Sequence, residues 1–97
     1  MVKKPTLKEL RGIIQRELPN VGAKDHSRNI INTSLILIAD LYGEDEAESI
    51  ISELNLDDQE DWIDFLSKPE IKDIRKKYKG KPKFHIQVLE DFQEMNH

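Results

Sequence analysis

Residues 27–42, SRNIINTSLILIADLY, constrain this chain more than any other segment. Ile31, Leu35, Ile38 and Tyr42 fall on one line at helical spacing, and Ile30, Leu37 and Leu41 widen that line on both sides. A helix at a protein surface needs only one apolar stripe, whereas a face this broad needs neighbours in several directions. The segment is therefore expected to be the central helix of its fold. Gly43 stops it, since glycine accepts the positive φ common just past a helix C-terminus.

The flanking segments read as helices able to surround it. Thr6 followed by Glu9 is a capping box, in which each side chain serves a backbone N–H that the first turn leaves free. Leu7, Leu10, Ile14 and Leu18 then form one stripe with Ile13 beside it, and Pro19-Asn20-Val21-Gly22 turns the chain. A third helix is predicted from Glu44 or Asp45, burying Ala47, Ile50, Ile51 and Leu54 before Asn55 stops it. Asp57 with Glu60 predicts the cap of a short fourth helix carrying Trp62, Ile63, Phe65 and Leu66. Ser67-Lys68-Pro69-Glu70 starts a fifth, with proline in the first turn, where its missing N–H costs nothing. Ile71, Ile74 and Tyr78 are its apolar side and Gly80 its end. In the tail, Phe84, Val88, Phe92 and Met95 fit a helix; a lone strand would have no partner.

The expected fold is all-α, a compact bundle of five or six short helices around the helix at about 27–42. Residues 1–97 form a single helical domain, and 81–97 are a loosely docked tail. With 28 Leu, Ile, Val and Phe among 97 residues the chain can build a modest core. The absence of cysteine excludes disulfide scaffolds, thiolate zinc sites and cysteine nucleophiles. Met1-Val2-Lys3-Lys4-Pro5 has no apolar run behind it, and the longest apolar stretch, Leu35 to Ala39, is far short of the roughly 20 residues that span a bilayer. A soluble cytoplasmic protein that does not engage a membrane is expected.

Charge is sorted along the chain. Residues 40–64 hold eleven carboxylates and no Lys or Arg, whereas residues 68–83 hold eight bases and two acids. Glu44, Asp45 and Glu46 open the third helix and Asp57, Asp58 and Glu60 the fourth, where carboxylates are favoured by about 0.3–1 kcal/mol each. Arg75, Lys76, Lys77 and Lys79 likewise suit a helix C-terminus. Much of the sorting is thus ordinary end electrostatics. The surplus consists of an acidic surface at Glu44, Asp45, Glu48, Asp57, Asp58 and Asp61 and a basic strip. Lys72, Lys76 and Lys79 follow one helical line with Arg75 alongside, and Lys81 and Lys83 extend it into the next loop.

Motifs for specific chemistries are incomplete in this sequence. Asp57, Gln59 and Asp61 match three positions of a calcium loop, but Trp62 replaces the required glycine and Lys68 the bidentate glutamate. A helix-turn-helix around Ile38, Ala39 and Gly43 would turn Asp45, Glu46, Glu48 and Glu53 toward phosphates, which repel them. His26, His85 and His97 are scattered without metal-ligand spacing, and no phosphate-binding glycine loop or serine elbow occurs. No catalytic residue, metal or cofactor is expected. Trp62-Ile63-Asp64-Phe65-Leu66 resembles an acidic docking segment, yet in a chain with six aromatics Trp62 and Phe65 are expected in its own core. What remains is a non-enzymatic module that binds a protein partner through charge-polarised helical surfaces, with self-association of acidic face to basic face as a variant. The alternative is a nucleic-acid-associated regulatory protein that holds phosphates on segment 68–83.

Overall fold

In the computed structural model, which describes residues 4–96, five α-helices follow one another: α1 (Leu7–Glu17), α2 (Ser27–Tyr42), α3 (Glu44–Glu53), α4 (Pro69–Lys77) and α5 (Pro82–Met95). The all-α expectation holds, with α2 at the centre. On α2, Ile30, Ile31, Leu35, Leu37 and Ile38 are completely buried, and the other four helices all touch it. Helices α1, α3 and α5 lie along it closely; α4 meets it least.

Local signals account for most boundaries. Thr6 Oγ1 accepts from the Glu9 N–H and Glu9 Oε1 accepts from the Thr6 N–H, both at 3.1 Å, which completes the expected capping box. Gly43 sits at φ 111°, so α2 ends and α3 begins in a turn that a side chain would strain. Pro69 occupies the first turn of α4 and Pro82 that of α5. Helix α1 is anchored by the Tyr42 hydroxyl, which donates to the Pro5 carbonyl at 2.6 Å.

The expected fourth helix over 57–66 does not form. Two 3₁₀ turns, Leu56–Asp58 and Phe65–Ser67, stand there instead, each preceded by a residue in the left-handed region: Asn55 at φ 57° and Asp64 at φ 51°. An αL residue cannot continue a right-handed helix, and Asn and Asp adopt it at low cost. The coiled path sinks Leu56, Trp62, Phe65 and Leu66 into the core and leaves Ile63 exposed. The indole N–H of Trp62 donates to Asn32 Oδ1 of α2 at 2.7 Å, a bond that a regular helix would have to place by chance. Lys68 Nζ closes the loop by donating to the carbonyls of Asp61 (2.8 Å) and Glu60 (3.4 Å). Trp62 and Phe65 thus serve this chain's own interior, as expected, and are not free to anchor a partner.

Residues 82–95, expected within a loosely docked tail, form a helix seated on α2 with His85, Ile86 and Leu89 buried. Its far end is clasped. Asn96 Nδ2 donates to Glu17 Oε1 (3.1 Å) and Ser27 Oγ (3.4 Å), Ser27 Oγ donates to the same carboxylate, and the His26 N–H donates to Asn96 Oδ1. This cluster joins the end of α1, the start of α2 and the residue after α5. Among the described residues no helix is long and apolar enough to cross a membrane.

The Trp62–Asn32 bond gives a direct check on the irregular segment. Asn32→Ala leaves a fully buried indole N–H without its acceptor, and should lower unfolding free energy in urea by about 1–3 kcal/mol. A variant as stable as the parent would show that the loop is held by apolar burial alone.

Candidate functional site: a groove between α2, α4 and α5

Because α4 touches α2 sparingly, the wedge between α4 and α5 is not filled. Its floor is the α2 line Asn29, Asn32, Thr33 and Ile36; one wall is Ile71, Ile74 and Tyr78 of α4 and the turn after it; the other is Phe84, His85, Val88 and Phe92 of α5. Ile74 is 36% exposed and Phe84 41%, so large apolar side chains stand open at its lip. The Tyr78 and Phe84 rings stack with centroids 3.7 Å apart, and both meet the His85 imidazole edge to face at 5.5 and 5.3 Å. At the other end the His26 ring lies 5.1 Å from Phe92. Only about 10–12 Å of each wall borders the groove, the span of Ile71 to Tyr78 and of Phe84 to Phe92 at about 1.5 Å rise per residue.

His85 is the imidazole set into this wall. Its side chain is buried and Nε2 has no hydrogen-bond partner among the described residues. Burial pushes the imidazole below its ordinary pKa, and the Asp40 carboxylate opposes that in part. The rings of Tyr78 and Phe84 flank it edge to face. Among the described residues no group of three His, Asp or Glu side chains is placed to hold a metal ion.

The predicted basic strip is only partly a unit. Arg75 turns away from it: Nε lies 2.9 Å from Asp40 Oδ1 and Nη1 3.5 Å from Glu44 Oε1, with the Arg75 and Asp40 side chains only 21% and 25% exposed. Lys72, Lys76, Lys79, Lys81 and Lys83 are exposed, and none makes an ion pair among the described residues. Helix α4 ends at Lys77, so Lys79 lies in the turn, while Lys83, expected in a loop, is in the first turn of α5. The strip runs along the back of α4 and round the α4–α5 turn. Lys77, which the strip left out, is exposed and holds its Nζ 5.5 Å from the centroid of Tyr78, a ring of the groove wall.

The acidic surface is divided too. Glu44 is drawn to Arg75, and Asp61 Oδ2 meets Arg28 Nε at 2.9 Å, whereas Asp45, Glu48, Asp57 and Asp58 are exposed and make no ion pair among the described residues. Helix α3 has no base in its own last turn, but Arg11 of α1 bridges to Glu53 there, and its hydrogen bonds hold the Glu53 carboxyl below the usual carboxylate range. The groove, rather than either charge block, is the feature that sequence reasoning missed. Ile74, Tyr78, Phe84 and Val88 all carried the apolar periodicity that located α4 and α5; nothing in that periodicity separates a covered position from an open one.

No family model, curated protein or solved structure matches this chain. The groove is accordingly read from its chemistry. An apolar trough of two helical turns, with aromatic lips and a few polar atoms in its floor, has the shape and chemistry to take apolar side chains of another molecule.

The pH dependence of folding reports on His85. A group whose folded pKa lies below its unfolded one contributes stability that is complete above the unfolded value and is lost as pH falls. Stability should therefore decline as pH drops below about 6.5, the ordinary imidazole value, before the carboxylates titrate. In His85→Leu the decline between pH 7 and 5.5 should shrink; an unchanged profile in urea titrations of that variant would assign it elsewhere.

Proposed function

We propose that this protein is a non-enzymatic interaction module that receives a protein partner in the α2–α4–α5 groove. The observation that carries this reading is the open apolar lip: Ile74 and Phe84 stand exposed, with half-buried Tyr78 stacked on Phe84, and Ile63 and Met95 are the other exposed large apolar residues among those described. Exposed apolar side chains gathered around a concavity mark recognition surfaces, whereas single ones are commonplace. The isolation of Ile63 and Met95 makes them instances of the second kind. A binding role fits the groove better than a catalytic one, since its wall imidazole is flanked by aromatic rings and its Nε2 has no hydrogen-bond partner among the described residues. A cytoplasmic setting belongs to the same proposal, supported by a chain without cysteine.

The nucleic-acid reading retains one supporting feature, the five exposed lysines Lys72, Lys76, Lys79, Lys81 and Lys83. It loses Arg75 to an internal ion pair, and Glu70 and Asp73 stand exposed on the same helix. Phosphate binding therefore takes second place.

Two variants separate these readings. Phe84→Glu places a charge in the groove lip at an exposed position and should leave the circular dichroism spectrum unchanged; Lys76→Glu with Lys79→Glu reverses the strip. In quantitative capture from native extract, a stoichiometric protein held by the parent should be lost from Phe84→Glu. Retention of every captured protein by Phe84→Glu, with nucleic acid lost from the lysine variant, would reverse the assignment.

A further inference from the structure

The groove has electrically unlike ends. From Ile74 through Leu89 the chain carries six bases and no acid, whereas Glu90, Asp91 and Glu94 follow on the next turns of α5. Arg75 is spent on Asp40 and Glu44, which leaves five lysines around the α4–α5 turn with no ion pair among the described residues. Lys77 lies over the ring of Tyr78, a wall residue at this end of the groove, and Lys81 is the residue from which α5 starts. The free N–H groups of the first turn of α5 add positive potential at the same end. At the Phe92 end the carboxylate of Asp91 accepts from Gln87 Nε2 at 3.0 Å.

Resting on the reading of the groove as a protein-binding site, we infer that its occupant is an amphipathic segment of another protein, two helical turns long, with carboxylates at the end that lies over the α4–α5 turn. The length follows from the groove: about 10–12 Å of wall accommodates apolar side chains at i, i+3 or i+4, and i+7. The charge follows from complementarity with Lys77 and Lys81, which fixes the direction of the segment more than its affinity. The chain's own acidic stretch does not meet these terms. Of its apolar residues Trp62, Phe65 and Leu66 are buried, so from that stretch a second copy presents Ile63, one anchor for a trough that takes several. A cation or a neutral segment gains nothing from the lysine end.

Selection from a displayed library of random 16-residue peptides tests this on the full chain, with Phe84→Glu and the pair Lys77→Glu, Lys81→Glu as parallel baits. Peptides enriched on the parent should carry apolar residues at helical spacing and an excess of Asp and Glu at one end. They should fail on Phe84→Glu and bind the lysine pair about tenfold more weakly, the effect of reversing two charges at a rim. Enriched peptides without an acidic end, or with affinity unchanged by the lysine pair, would overturn the inferred occupant and leave the groove as the site. Equal enrichment on Phe84→Glu, or none on the parent, would overturn the groove reading itself. Sedimentation equilibrium of the parent should show a monomer; a dimer abolished by Ile63→Lys would assign the groove to a second copy instead.

Discussion

Ten of the sixteen residues of α2 are buried, and enclosing them is the requirement from which the placement of the other helices follows. Four amphipathic helices and one coiled segment each cover part of its circumference, because only together do they remove its isoleucines and leucines from water. The enclosure is uneven. Helices α1, α3 and α5 follow α2 closely, but α4 is nine residues long and is fastened beside the C-terminal end of α2 through Arg75 and Asp40. The line Asn29, Asn32, Thr33 and Ile36 is left under a gap. These residues include the polar members that α2 can afford to leave near water, so the groove occurs where the central helix is least apolar.

Electrostatics follows a division of labour between arginine and lysine. Arg11, Arg28 and Arg75 each reach a carboxylate on another element, while no described lysine forms an ion pair. Guanidinium groups suit such fixed, forked contacts, and ammonium groups stay hydrated on flexible stems. The segregation of charge along the chain is therefore partly undone by folding: acidic residues 40–64 receive arginines from α1, α2 and α4. Exposed pairs of this kind contribute little each, so their role is to register elements whose apolar burial supplies the stability.

Helices α1 to α5 were legible because their signals are local: the Thr6–Glu9 box, Gly43, Pro69 and 3.6-residue apolar periodicity. The segment 57–66 was not, although Asp57 and Glu60 offered a cap and Trp62, Phe65 and Leu66 a helical pattern. Asn55 was legible as a stop, but the bond of Trp62 to Asn32, thirty residues away, and the left-handed backbone at Asp64 are not recorded in the local pattern. The groove was hidden for a related reason. Tyr78 and Phe84 sit on different helices, and their stacking depends on the angle at which the α4–α5 turn brings those helices together. The lysines were legible as a strip, but which base faces the groove and which faces Asp40 required the fold.

The clasp of Glu17, Ser27 and Asn96 has a temporal side. As the chain emerges N-terminus first, α1, α2 and α3 exist well before residues 82–96 follow. During that interval the most apolar helix of the protein lacks the cover of α5, and Glu17 and Ser27 have only water as a third partner. A nascent chain in that state presents a sticky surface, the kind that holding chaperones shield. Closing of the clasp marks the moment when that vulnerability ends.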